Sequence, residues 1–403
     1  MKRIVILCDG TWNRSDSRNP TNVVRFAKAL NARDPEGVVQ VPIYIQGVGT
    51  GRGPTGSLRK LDSLLGGAFG LGLMPNIEEA YRHLVFLYEP GDEVFVLGFS
   101  RGAYTARSLA GLIRAAGIIE RDALHRLPEA LARYRTMDDP TTRPSHPESH
   151  EFRARMSPRV VTSVEEAAWR RERGMPEALR FRIRYLGVWD TVGTLGVPAF
   201  VPVIGPLVAR RYRFHDADLS SMVISARHAL ALDERRRAFE PTRWKNLDDL
   251  NAGAGGSSAP SYQELFFAGD HGSVGGGGDL TDLSHIGLEW IIEGARLQRL
   301  SFDDGHLTAI ERGQDPMGPL RSTREKPGGP VEWLTRLCPR DREGPAKVTE
   351  LHATVVTRWT RQPSYRPGSL ARLQEDLAEL RSPTDPRKSA ATPSECDREA
   401  RST

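Results

Sequence analysis

Val94-Phe95-Val96-Leu97-Gly98-Phe99-Ser100-Arg101-Gly102-Ala103 decides the reading of the fold. Four consecutive apolar residues ahead of Gly98 predict a buried strand, and Ala106, Leu109, Leu112 and Ile113 then recur at helical spacing. Between them stands G-x-S-x-G. A serine at the tip of so tight a turn occupies strained backbone, and strand and helix approach so closely that only glycine fits at Gly98 and Gly102. In return the Ser100 hydroxyl is presented at a helix N-terminus, where the positive end of the dipole favours an oxyanion. Gly98 and Gly102 therefore read as a nucleophile elbow and Ser100 as its nucleophile.

Outward from the elbow, short apolar runs alternate with helical patterns. Arg3–Cys8, Val38–Ile45, Glu93–Phe99, Phe181–Trp189 and Glu264–Ala268 are the expected strands; Val23, Phe26, Ala27 and Leu30 and then Ile77, Ala80, Tyr81, Leu84 and Tyr88 mark intervening helices. That alternation predicts an α/β fold, a mostly parallel sheet with helices on both faces. A single catalytic domain is expected over residues 1–380. Within it, 121–180 is polar and Arg-rich and reads as an insertion or lid over the active-site edge, and 251–260 reads as a Gly/Ser loop. Residues 381–403, rich in proline and without an apolar cluster, are expected to be disordered.

A serine hydroxyl needs a base to take its proton, and a histidine needs a carboxylate to present the right nitrogen. Asp190 ends the strand-like Arg184-Tyr185-Leu186-Gly187-Val188-Trp189, at the sheet edge where such sites are built. Asp216, Asp218 and Asp233 lack a preceding strand and read as loop or helix-surface residues. His271 follows Leu265-Phe266-Phe267-Ala268 and opens a glycine-rich loop, whereas His228 and His285 fall in helix-like patterns and His125, His146 and His150 in the insertion. The catalytic set is thus Ser100, Asp190 and His271. Oxyanion donors are expected from the backbone of Arg101, after the nucleophile, and of Gly10 and Thr11 in the loop after the first strand. Asp9 is open between capping that turn and anchoring the loop.

Other chemistries have weaker signals. Gly51-Arg52-Gly53-Pro54-Thr55-Gly56 matches a dinucleotide pattern in form, but Pro54 removes a phosphate-cradling N–H. Asp279, Asp282 and His285 are explained by helix capping, so neither metal nor cofactor is expected. The net charge of +5 comes from scattered arginine, which argues against nucleic acid and fits an anionic substrate or peripheral contact with a membrane. The apolar stretches Gly66–Met74 and Val197–Ala209 fit core packing better than an acyl pocket. The apolar start is too short for a signal peptide, and the other apolar runs are too short to span a bilayer. Three widely spaced cysteines form no disulfide framework. Cytoplasmic synthesis is therefore expected, with export by a specialised system open.

Cys8-Asp9-Gly10-Thr11-Trp12-Asn13, Tyr44-Ile45-Gln46-Gly47-Val48-Gly49-Thr50, the Ser100 elbow, Val188-Trp189-Asp190-Thr191-Val192-Gly193, Ala231-Leu232-Asp233-Glu234-Arg235-Arg236 and His271 with Val274-Gly275-Gly276 follow one another along the chain. Together they resemble the blocks of an uncharacterised α/β-hydrolase domain family that includes the catalytic region of class-one type VI secretion lipase effectors. His352 to Arg358 and Tyr365-Arg366-Pro367 resemble its closing segment. The resemblance implies a Ser-Asp-His triad at Ser100, Asp190 and His271 and hydrolysis of lipid or phospholipid esters. A small-ester esterase and a catalytically silent hydrolase-like binding module are the alternatives. The family pattern His-Ser-Asp-Val-Gly-Gly-Gly-Tyr is here His271-Gly272-Ser273-Val274-Gly275-Gly276-Gly277-Gly278, which removes an acid and an aromatic beside the site.

Overall fold

The computed structural model describes residues 1–10, 13–47, 73–137, 139–192, 218–253, 260–320 and 339–381. Six strands form one parallel sheet: β1 (Arg3–Cys8), β2 (Gln40–Ile45), β3 (Glu93–Phe99), β4 (Ile183–Trp189), β5 (Ala226–Ala231) and β6 (Tyr262–Phe267). Their spatial order is β2-β1-β3-β4-β5-β6. Every residue of β1 is buried, as a parallel strand covered on both faces must be. Alternate side chains serve opposite cores: Ile4, Ile6, Val94 and Val96 face one, and Val5, Leu7, Phe95 and Leu97 the other.

Helix α1 (Asn22–Ala29) covers the second of these faces, joined there by the long helix Asp282–Leu297, while α2 (Leu73–Leu87) and α3 (Arg101–Ala116) cover the first. Thr21 caps α1 by accepting from the Val24 N–H. The chain starts in β1, steps outward to β2 and then returns past β1 to β3. This reversal of strand order falls between β1 and β3, whose carboxyl ends are the place where open α/β sheets hold ligands. A third core joins Leu230 and Phe266 to Leu351, Val355, Trp359 and Leu370, so residues 351–377 pack on the β5–β6 side of the sheet.

All five expected strands agree with the structure to within two residues at either end. The fifth element of the sheet, β5, does not appear among them. His228 therefore lies inside a strand and not in a helix, and Asp233 follows a strand end and is largely shielded. The sequence Ala-Arg-His-Ala-Leu-Ala has no β-branched residue, so local preference points to helix and burial between β4 and β6 overrides it.

The placement of the insertion also differs from expectation. Residues 121–180 form the helices Leu127–Arg135, Pro147–Met156 and Val164–Glu172, and Val160–Val161 pairs with Leu179–Arg180. Their anchors are Arg121 and Arg159 on Glu89, just before β3, Ser157 on the Ile118 N–H (3.0 Å), and Arg153 on the Arg114 carbonyl (3.2 Å) near the end of α3. These contacts tie the insertion to the sheet's amino edge, opposite Ser100, and not over the active-site edge. Its interior is held by Glu166, fully buried between Arg153 (2.7 Å) and Arg170 (2.6 Å). The 251–260 loop, the Gly51–Gly56 pattern, Asp216, the stretch Val197–Ala209 and residues 382–403 lie wholly or largely outside the described residues, as does Gly66–Met74 up to residue 72.

Candidate active site

Ser100 leaves β3 with φ +58° and ψ −123°, a backbone that non-glycine residues rarely adopt. The crowding around it shows why. A Cβ on Gly98 would stand 2.4 Å from the Gly102 carbonyl oxygen, and one on Gly102 would stand 2.2 Å from that of Cys8. Strand β1, the turn and α3 are therefore in backbone contact, which only glycine at 98 and 102 permits. The Ser100 N–H donates to the Trp189 carbonyl (3.0 Å), so the end of β3 is laced to the end of β4.

Asp190 comes next on β4, itself at φ +38°, fully buried, with its N–H on the Ala229 carbonyl (2.7 Å). His271, buried as well, opens the short helix His271–Gly275 after β6, which Asp270 caps. Its Nδ1 lies 2.6 Å from Asp190 Oδ2. Two aromatic rings fix the imidazole plane: Phe99, the residue before Ser100, at 4.6 Å between centroids, and Phe239, edge-on at 4.8 Å. With Nδ1–H donated to the carboxylate, Nε2 is the nitrogen left to accept a proton. Glu234 steadies the same residue from the backbone side, its Oε2 accepting from the His271 N–H (3.2 Å). Burial pushes Glu234 up, but the hydrogen bond and charge of Arg236 outweigh it and bring its carboxyl to about 2.

Asp190 has a partner that sequence reasoning did not find. Arg342, from the C-terminal segment and also buried, places Nη1 2.7 Å from Oδ1 and Nη2 2.9 Å from Oδ2, and Oδ1 accepts the Ala231 N–H at 3.0 Å as well. Burial raises the Asp190 carboxyl, yet the Arg342 charge, followed by the hydrogen bonds from His271 and Arg342, holds it well below the usual carboxylate range. A short sequence motif offers no signal for such a residue.

The loop after β1 reaches the elbow. A Cβ on Gly10 would lie 3.2 Å from that of Ser100. The Gly10 N–H, expected as an oxyanion donor, donates instead to Asp9 Oδ1 (2.7 Å), while Thr21 (2.9 Å) and Tyr44 (2.7 Å) donate to Oδ2. Asp9 thus anchors the loop. Burial raises its carboxyl to about 6, against the opposing pull of these three hydrogen bonds. Thr11 lies outside the described residues. Arg101 is the first residue of α3, so its N–H belongs to the helix N-terminus beside Ser100.

Behind Asp190, His228 Nε2 accepts the Thr191 N–H (3.1 Å), and its Nδ1 faces Glu264 Oε2 at 2.8 Å. Burial lowers the imidazole below its ordinary value despite Glu264, so a neutral ring with Nδ1–H toward the carboxylate satisfies both contacts. Of these two histidine–carboxylate pairs, it is His271 whose ring packs on Phe99, the residue before Ser100. Among the described residues, no group of His, Cys, Asp and Glu side chains is arranged to hold a metal ion. No helix among them is long and apolar enough to cross a membrane.

A family model described as "T6SS, Phospholipase effector Tle1-like, catalytic domain" matches residues 2–294. The uncharacterized protein YEL023C of Saccharomyces cerevisiae is 26% identical over 246 residues, which are 59% of this chain and 32% of that one. Among solved structures, the Tle1 effector bound to the VgrG spike from the type 6 secretion system is 17% identical, with 68% of this chain and 51% of that one covered and a TM-score of 0.36. An uncharacterized protein from Pseudomonas aeruginosa is 15% identical, with 96% and 61% covered and a TM-score of 0.41. The chain spans about a third of the length of the yeast relative and between half and two thirds of these two structures.

Proposed function

The chain belongs to the family of Tle1-like phospholipase effector catalytic domains, and from that premise we propose that it hydrolyses phospholipid carboxylic esters through an acyl-enzyme on Ser100. The observation that carries this reading is the buried His271–Asp190 pair, 2.6 Å apart, at the same sheet edge as a serine held at φ +58°. Ser100 Oγ attacks the ester carbonyl carbon and gives its proton to His271 Nε2. Asp190 stabilises the imidazolium and keeps its orientation. The carbonyl oxygen becomes an oxyanion stabilised by the Arg101 N–H at the start of α3 and by the Thr11 N–H, since the Gly10 N–H is committed to Asp9. Collapse breaks the ester C–O bond, and the leaving alcohol takes the proton from His271. Water, deprotonated by the same nitrogen, then releases the fatty acid and restores Ser100.

The net charge of +5 supports a substrate presented on an anionic membrane face, and membership of an effector family supports export by a specialised secretion system. The test compares the wild-type chain with S100A on vesicles of phosphatidylethanolamine and phosphatidylglycerol and on short nitrophenyl esters. Fatty-acid release from vesicles by the wild type alone is the expected result. Turnover confined to the short esters would favour a small-ester esterase, and equal turnover by S100A would remove the serine from the mechanism.

A further inference from the structure

Arg342 lies well beyond residue 294, where the family match ends, yet its guanidinium grips both oxygens of Asp190. We infer that Arg342 is a positioning residue for the hydrolytic site, locking the Asp190 carboxylate toward His271 and tempering its charge; the inference rests on the serine-hydrolase reading above. Three observations meet here. The fork is bidentate, the geometry that fixes a carboxylate plane rather than merely attracting it. The same guanidinium donates to the Ala231 carbonyl (2.8 Å) at the end of β5 and to the Phe239 carbonyl. Phe239 is in turn the ring that stands edge-on to His271. One side chain thus cross-braces the acid, the strand end beside it and the aromatic wall of the base.

Its charge has a second consequence. A lone buried aspartate would attract the imidazolium strongly; a cation on the far side of that aspartate opposes it. His271 is faced besides by Glu234, whose backbone contact is offset by its own pair with Arg236, while Asp270 caps the helix on which His271 sits and Asp233 binds the Gly269 N–H. Removing the Arg342 charge alone therefore leaves an excess of negative groups around the base.

The test measures the pH profile of kcat/KM on a short nitrophenyl ester for wild type, R342M and R342K, with fluorophosphonate labelling of each. R342M is expected to lose at least tenfold in kcat/KM and to move the acid limb up by about one pH unit. R342K keeps the cation but not the fork, and is expected to lose about tenfold with the limb in place. Values within twofold of wild type with an unmoved limb in R342M would overturn the inference. Should R342M not fold, R342K decides alone: unchanged kcat/KM overturns it, and a reduced value with an unmoved limb supports it. Failure of the wild type itself to label would instead count against the serine-hydrolase reading.

Discussion

Replacing Asp190 by asparagine separates the two duties of this carboxylate. Its oxygens take hydrogen bonds from His271 Nδ1 (2.6 Å), the Ala231 N–H (3.0 Å) and both Arg342 nitrogens (2.7 and 2.9 Å). Asparagine offers one acceptor oxygen and an NH2 group, which can meet neither a guanidinium nor an Nδ1–H. If the oxygen stays with Ala231 and Arg342, the NH2 turns to His271 and selects the tautomer with its proton on Nε2, which cannot accept from Ser100. The cost in kcat is then about 10⁴-fold. The buried guanidinium meanwhile loses its counter-charge, a loss of about 3–5 kcal/mol in stability. Both readouts come from one variant, kcat on a short nitrophenyl ester and the urea unfolding midpoint. The pH dependence has a definite sign as well. Because the folded carboxyl lies below its unfolded value, the contribution of Asp190 is present above about pH 4 and is lost as pH falls toward the folded value. The stability gap between wild type and D190N should therefore narrow only below pH 4. A variant with kcat within tenfold of wild type and an unmoved midpoint would refute the reasoning.

Two further outcomes follow from the loop and the elbow. G102A forces a methyl group to within 2.2 Å of the Cys8 carbonyl oxygen, a backbone atom that cannot swing aside; a loss of about 3 kcal/mol in urea unfolding, with Ser100 labelling reduced, is expected, and wild-type stability would contradict it. Asp9 has the opposite sign to Asp190: its folded value of about 6 exceeds its ordinary one, so its contribution is present at low pH and is lost as pH rises from about 4 through 6. The stability of wild type relative to D9N should accordingly fall by on the order of 3 kcal/mol between pH 4 and pH 7, and a gap independent of pH would show that Asp9 is ionised in the fold throughout.

Strands β1, β2, β3, β4 and β6 were legible because a buried parallel strand is written as a run of apolar residues with little polar interruption. The elbow was legible because its glycines are forced by contact at backbone range. β5 was not, since alanine, arginine and histidine carry no strand preference, and with it went the placement of His228 and Asp233. The insertion was set over the wrong edge because polarity says that a segment meets solvent, not on which side of a sheet it does so. Arg342 was hidden for a different reason. A fully buried carboxylate calls for a cation, but with 56 lysines and arginines in the chain the requirement selects none of them. Asp9 could be resolved only once Tyr44 and Thr21, 35 and 12 residues away along the chain, were seen to converge on it.

The proposed role of Ser100 as nucleophile admits the most direct measurement. After incubation with a fluorophosphonate at neutral pH, peptide mass spectrometry of the intact chain should place a single phosphonyl adduct on Ser100, with none on S100A and a rate at least a thousandfold lower on D190N. A folded wild-type protein that carries no adduct, or carries it on another serine, would contradict the account.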